Sequence, residues 1–211
     1  MRNVHLSTRV STALLAALLL LTQAGVADAH IVSARLGDFY AAALHPLLTL
    51  QDIVLWGALG VLAGSLGAAR GRWLVVIFPL GLCAGLGLAI TMNLAPPPPV
   101  VDAATILGLG LLLATALRLP LAVLGLVAFG LGLMRGAANA GELVPQTDLL
   151  LYVAGLATAG YVVITLVMAL TLIFRRPDTE PVSHWRGIAV RAAGGWVAAV
   201  GLMMAGLSLA A

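Results

Sequence analysis

Six long apolar runs constrain the fold of this chain more than any other feature. They cover approximately residues 47–69, 73–94, 101–117, 119–134, 149–174 and 187–211. Most of them reach the roughly 17–25 residues that a helix needs to cross the hydrocarbon of a bilayer. Because a bilayer offers no water to open backbone groups, helices are the only reasonable structure for such runs. The sequence therefore predicts an all-α polytopic membrane bundle with six transmembrane helices.

The composition excludes several classes of protein. Only 9% of the 211 residues are charged and 62% are hydrophobic, whereas soluble domains carry roughly 25% charged residues. All 11 basic residues are arginine, and no basic run is longer than Arg175-Arg176, so no nucleic-acid partner is expected. Phosphate-binding loops, dinucleotide fingerprints and hydrolase motifs are absent from the sequence. We therefore expect neither an enzyme nor a tightly bound cofactor.

The first residues have the pattern of a secretory signal peptide. Arg2 and Arg9 precede a short apolar stretch, and Ala27-Asp28-Ala29 resembles a cleavage site. We expect residues 1–29 to be a cleaved signal peptide and residues 30–211 to form a single six-helix transmembrane domain. An uncleaved first anchor is the alternative.

The arginines predict the orientation of this domain. If His30 lies outside, the connections that face the cytoplasm hold six arginines, namely Arg70, Arg72, Arg118, Arg175, Arg176 and Arg186. The outer regions hold only Arg35 and Arg135. This bias follows the positive-inside rule and predicts a bacterial inner-membrane protein with a periplasmic N-terminus.

Glycines within the apolar runs predict close helix packing. The residues concerned are Gly81, Gly85, Gly87, Gly125, Gly130, Gly132, Gly155 and Gly160.

Polar residues near membrane depth are the candidates for function, because they are costly there. On the predicted outer side they are Asp38, His45, Gln51, Asp52, Asp102, Arg135, Asn139 and Glu142. Pro46 suits the first turn of a helix, so we expect His45 at a helix start. His45 and Asp52 then share one face of that helix, roughly 10 Å apart. Structural roles, such as an interfacial histidine or carboxylates stabilised by the helix dipole, remain open.

Two stretches of these polar residues resemble motifs of a known family. Residues 45–52 correspond to a family pattern of His, five residues, Asp and His, and residues 134–142 to Phe-His-Gly-x-Ala-His-Gly-x-Glu. Pro99-Val100-Val101-Asp102 is similar to a family Pro-x-Val-Glu stretch. On these residues the chain resembles the HupE/UreJ membrane proteins. That resemblance implies a cleaved signal, six spans and a permease for nickel or a related metal ion, associated with hydrogenase and urease.

The chain departs from both family motifs. Only the first histidine is matched, by His45, while Gln51 and Asp52 replace Asp and His. Arg135 and Asn139 replace the two histidines of the second motif. Nickel prefers imidazole nitrogen. The metal site implied by the resemblance therefore has fewer imidazole ligands, and a larger share of oxygen ligands, than the family motifs.

Three hypotheses follow from these residues. In the first, the protein is a permease for a divalent metal ion, nickel or similar. Its metal-site residues are then His30 at the outer mouth, His45, Asp52, Asp102, Asn139 and Glu142. In the second, it is a non-transporting accessory subunit of a larger membrane complex, in which Arg135 forms a structural salt bridge to one of these carboxylates. In the third, Arg135 is the counter-charge for a transported anion or small organic solute. The lipid bilayer, the metal ion and partner subunits are the partners expected.

Overall fold

All regular secondary structure is helical in the part that the computed structural model describes, residues 26–175 and 184–210. Seven α-helices follow one another in this part: α1 Val26–Leu48, α2 Leu50–Ser65, α3 Ala68–Met92, α4 Pro99–Thr115, α5 Leu121–Asn139, α6 Leu149–Phe174 and α7 His184–Ala210. A single 3-10 turn, Ala140–Glu142, extends α5. The prediction of an all-α fold is confirmed for these residues.

The six predicted apolar runs coincide with the helices α2 to α7, but not all of these helices are long enough to span a membrane alone. By length and composition, four helices qualify within the described residues: α3, α5 with its 3-10 turn, α6 and α7. The pair Gly37–Leu48 and Leu50–Ser65 counts as a fifth span if the two bent segments are taken together. Helix α4 is shorter, with 17 residues. Six crossings therefore remain a prediction.

Two breaks interrupt the N-terminal part of the bundle. Gly37 has a φ of 74° inside α1, a conformation that glycine adopts without the steric cost of a Cβ. The second break, at Thr49, separates α1 from α2 and bends the chain by 81°. The predicted signal peptide lies mostly outside the described residues. Its predicted cleavage site after Ala29 falls within α1, and cleavage remains a prediction.

Glycines bring the backbones of neighbouring helices into direct contact. An added Cβ at Gly81 or Gly85 of α3 would meet the backbone of α5, and one at Gly132 would meet the backbone of α3. Gly155 of α6 lies equally close to the backbone of Phe39 in α1. The predicted role in packing is wrong for Gly87 and Gly130, because no atom of the described residues lies within 4 Å of the position of their missing Cβ.

The core of the bundle is apolar, and so is its surface. Trp56 and Phe78 are fully buried and meet edge to face, with ring centroids 5.6 Å apart. Large apolar side chains also point outward, including Leu150, which is 82% exposed, and Trp196, which is 78% exposed. A soluble monomer rarely exposes apolar patches on this scale, so the surface is that of a membrane protein.

Candidate functional site

A cavity of about 180 Å³ opens at the end of the bundle where α2 and α4 begin and α5 ends. We call this the outer end, after the predicted orientation. The cavity is lined by His45, Thr49, Gln51, Asp52, Pro96, Pro97, Asp102, Arg135, Ala138, Asn139 and Glu142. Polar residues from four helices therefore meet at one place, beside two prolines of the linker between α3 and α4.

Arg135 and Asp52 form a two-pronged ion pair beneath this cavity. The Nε atom of Arg135 donates to Oδ1 of Asp52 at 2.6 Å, and Nη2 donates to Oδ2 at 2.9 Å. The Asp52 residue is fully buried and Arg135 is 6% exposed. Asp52 lies in the first turn of α2, where the positive end of the helix dipole also favours a carboxylate. The pair fixes α5 against α2.

Asp102 extends this pair into a triad. Its Oδ1 atom lies 3.0 Å from Nη1 of Arg135, although the two atoms are not aligned as a hydrogen bond. Asp102 occupies the first turn of α4, which begins at Pro99. The guanidinium of Arg135 therefore links three helices and neutralises one of two carboxylates.

Asn139 continues the polar cluster at the end of α5. Its side-chain Nδ2 donates to the carbonyl of Arg135 at 2.8 Å, one turn earlier in the same helix. The side-chain Oδ1 is buried and has no hydrogen-bond partner within the described residues. The hydroxyl of Tyr152 in α6 donates to the backbone carbonyl of Asn139 at 3.1 Å. Tyr152 thus stabilises the end of α5, a role that the sequence pattern does not predict.

His45 and Glu142 form the more exposed rim of the cavity. Nε2 of His45 lies 4.0 Å from Oε1 of Glu142, and their side chains are 26% and 44% exposed. The hydroxyl of Thr49 donates to the carbonyl of His45 at 3.0 Å and lies 3.4 Å from its Nε2. The polar atoms near Nε2 of His45 are therefore the Thr49 hydroxyl, four residues along the chain, and the Glu142 carboxylate, in the turn that extends α5.

The predicted placement of His45 is wrong. His45 lies in the last turn of α1, whereas Asp52 lies in the first turn of α2. The bend at Thr49 separates these turns, so the two residues do not share the face of one helix. They approach the same cavity because the chain turns by 81° between them.

The structure brings together five of the six predicted metal-site residues. His45, Asp52, Asp102, Asn139 and Glu142 all line the cavity. The sixth, His30, has a side chain outside the described part of the structure. No group of three His, Cys, Asp or Glu side chains within the described part is arranged as a metal site, so the metal ligand set remains a prediction.

Charge gives the cavity its chemical character. Three carboxylates line it, those of Asp52, Asp102 and Glu142, against the single guanidinium of Arg135. With His45 neutral, two negative charges are left over. A surplus of this sign, focused in a small opening with low-dielectric walls, attracts cations.

The remaining polar residue of the predicted outer side has a structural role. Asp38 lies outside the cavity lining, and its Oδ2 accepts a hydrogen bond from the backbone of Asp148 at 2.6 Å. Asp148 in turn caps α6 by accepting from the backbone of Leu151 at 3.1 Å. These contacts join α1 to the start of α6.

Comparison with known proteins agrees with the motifs. The model of one family, described as "HupE / UreJ protein", matches residues 17–204. Comparisons with curated proteins and with solved structures found no match. The family match covers most of the chain, including every residue that lines the outer cavity, and the chain therefore belongs to the HupE/UreJ family.

Proposed function

We propose that this protein is a permease for a divalent transition-metal ion, nickel or similar, and that the outer cavity is where the ion binds first. The observation that carries the proposal is the convergence of one imidazole, three carboxylates and two amides on a single cavity with surplus negative charge. Membership of the HupE/UreJ family supports it, because that resemblance implies metal permeation.

One buried oxygen atom supports a cation as the occupant. Oδ1 of Asn139 is buried and has no hydrogen-bond partner within the described residues, whereas Oδ1 of Asp102 already has a charged neighbour, Nη1 of Arg135 at 3.0 Å. A buried acceptor without a partner is costly, and a metal ion is one group that relieves this cost. With the Asp102 and Glu142 carboxylates and the His45 imidazole, this amide oxygen would complete a mixed nitrogen and oxygen donor set. Such a set suits a divalent first-row metal. The described side chains are not arranged as a metal site, so binding in this proposal requires these groups to move together.

Asp52 has a different role in this proposal from the one that the motif implied. Both of its oxygens accept hydrogen bonds from Arg135, so it serves as the counter-ion of that arginine. Arg135 closes the floor of the cavity and has to move, together with α5 or α2, before an ion passes deeper into the bundle. Transport in this proposal therefore needs a conformational change at the triad.

The membrane arrangement belongs to the same proposal. We infer six crossings by α2 to α7 in a bacterial inner membrane, a periplasmic outer end and removal of residues 1–29. Support comes from the six predicted apolar runs, which coincide with these helices, and from the bias of the arginines toward the other end. The 17 residues of α4 reach about 26 Å at 1.5 Å per residue, which is close to the thickness of a thin bilayer.

A second candidate function rests on the triad itself. Arg135 occupies the position of a family histidine and holds both oxygens of Asp52. A fixed cation there favours a non-transporting accessory subunit, in which the triad is only structural. That subunit would keep the bundle as a binding surface for partner subunits.

Metal uptake by intact cells distinguishes the two functions. Cells that produce the wild-type protein are compared with cells that produce His45→Ala or Glu142→Gln, at equal protein levels, using radioactive nickel and cobalt. Asp148→Asn is the matched control, because Asp148 lies at the same end but outside the cavity lining, and asparagine also caps helices.

The permease predicts that the two cavity variants lose about tenfold in uptake at limiting metal, as expected for a lost contact of roughly 1.4 kcal/mol, while Asp148→Asn does not. If cells with the wild-type protein accumulate no more metal than cells without it, the permease is wrong. Stable co-purification of wild-type protein with other membrane subunits would then support the accessory function.

A further inference from the structure

A second and larger cavity lies at the opposite end of the bundle, which we call the inner end. It has a volume of about 600 Å³ and lies among the end of α2, the end of α4, the end of α6 and the start of α7. Four arginines line it: Arg70, Arg118, Arg175 and Arg191. Its lining within the described residues contains no carboxylate.

Three of these arginines are held in place by backbone carbonyls. Nη1 of Arg175 donates to the carbonyl of Ser65 at 2.7 Å, and Nε of Arg191 donates to that of Ala114 at 2.8 Å. These two carbonyls lie in the last turns of α2 and α4, where the negative end of the helix dipole favours a cation. Nη2 of Arg70 donates to the carbonyl of Leu119 at 3.0 Å. Each guanidinium has five N–H donors, so most donors stay available.

The fourth arginine and the charge balance indicate an anionic ligand. Arg118, in the connection between α4 and α5, makes no ion pair or side-chain hydrogen bond within the described residues. Like charges around one cavity repel each other unless an anion lies between them. Planar guanidinium groups match the oxygens of phosphate through paired hydrogen bonds.

The rest of the lining is apolar and indicates what carries the phosphate. Leu66, Leu113, Leu117 and Ile188 share the cavity with the arginines. A free phosphate ion makes no favourable contact with such an apolar surface. A phospholipid contacts both parts of the lining, because its headgroup phosphate binds the arginines and its acyl chains pack on the apolar residues. Basic pockets between helix ends are a known way for membrane proteins to hold lipid headgroups.

We propose that the inner cavity is a binding site for an anionic phospholipid, with the headgroup phosphate held by Arg118 and Arg191 and the acyl chains lying on the leucines. This site is independent of the proposed metal permeation, since it lies at the other end of the bundle and shares no lining residue with the outer cavity. Its test therefore succeeds or fails without regard to metal uptake.

The test uses purified full-length protein in neutral detergent. Binding of phosphatidylglycerol and of phosphatidylcholine is measured by native mass spectrometry and by the shift of the thermal unfolding midpoint, for wild type, Arg118→Gln and Arg191→Gln. Arg72→Gln is the matched control: Arg72 is exposed, lies 5.5 Å from the Trp73 ring centroid, and does not line the cavity. Inorganic phosphate alone forms a separate arm.

The expected result is that phosphatidylglycerol binds and raises the midpoint for wild type and Arg72→Gln, and that its affinity falls about tenfold in Arg118→Gln and in Arg191→Gln. Phosphatidylcholine and inorganic phosphate should each have little effect. Equal binding in all four proteins would overturn the site, because general attraction between arginines and anionic lipid would then suffice. Full stabilisation by inorganic phosphate would overturn the lipid as its ligand.

Discussion

The charged residues at the two ends of the bundle differ in burial and in their partners. At the outer end, opposite charges meet inside the protein: Arg135 is 6% exposed and Asp52 is fully buried, and their atoms approach to 2.6 Å. At the inner end, the described lining of the cavity holds four exposed arginines and no carboxylate. Two of these side chains, Arg175 and Arg191, donate to the carbonyls of helix ends.

The charges at the two ends are therefore stabilised differently. Each charge of a buried ion pair depends on its partner, because removal of one leaves the other buried without compensation. An exposed arginine keeps its contact with water and headgroups, so its neighbours matter less. The outer end should therefore be sensitive to single substitutions and the inner end tolerant of them. The surplus charges also differ in sign, which favours a cation at the outer end and an anion at the inner end.

Removal of Arg135 should have the largest effect on stability and tests whether the outer end depends on its buried ion pair. Arg135→Ala leaves Asp52 buried without its counter-charge, so we expect a loss of about 3–5 kcal/mol in the free energy of unfolding. Chemical denaturation of the protein in micelles, followed by circular dichroism, measures this loss. A change below about 1 kcal/mol, the usual size for an exposed pair, would show that the triad does not form.

The contact between α3 and α5 tests whether the scaffold holds the outer end together. A Cβ at Gly85 would meet the backbone of Leu133, two residues before Arg135, so Gly85→Ala should destabilise the bundle by about 1–3 kcal/mol. Gly87→Ala is the matched control, since the part of the chain that the structure describes places no atom within 4 Å of its missing Cβ. The same denaturation experiment applies, and equal stability of the two variants would contradict the close helix contact.

The hydrogen bond of Tyr152 tests the contribution of an uncharged contact at the outer end. Tyr152→Phe removes the hydroxyl that donates to the carbonyl of Asn139, and we expect a loss of about 0.5–1.5 kcal/mol. Tyr161→Phe on the same helix is the control, because Tyr161 is 50% exposed. Thermal unfolding midpoints of the two variants should differ, with Tyr152→Phe the lower. The contact has no role in stability if they coincide.

The smallest effect is expected at the inner end. Arg175→Gln removes the hydrogen bond to the carbonyl of Ser65, and because this arginine is exposed the loss should stay below about 1 kcal/mol. Denaturation under the conditions used for Arg135→Ala gives a direct comparison. A loss as large as that of Arg135→Ala would erase the distinction between the two ends.

The sequence predicted the parts of the fold that depend on apolar length. The runs at residues 149–174 and 73–94 correspond closely to α6 and α3, because lipid permits few structures besides helices for such runs. It also predicted which polar residues gather at one end, since hydrophilic side chains near the ends of successive antiparallel spans have to meet there.

The sequence did not predict features that depend on helix rotation and on bends. Arg135 and Asp52 are 83 residues apart, and which carboxylate faces the arginine is set by how α2 and α5 rotate against each other. The sequence does not reveal the bend at Thr49, because proline suits the first turn of a helix, whereas Pro46 lies in the last turn of α1. Tyr152 gave a weak signal, an aromatic residue near the start of a span, which spacing alone does not connect to Asn139.

The most direct test of the outer cavity is to locate a bound metal ion. Crystals of the protein soaked with cobalt(II), with data collected on both sides of the cobalt absorption edge, show the ion in an anomalous difference map. Our account predicts one peak between the His45 imidazole and the oxygens of Asp102, Asn139 and Glu142, and no peak there in crystals of His45→Ala. A map without a peak in the cavity, with the Arg135 triad intact, would contradict it.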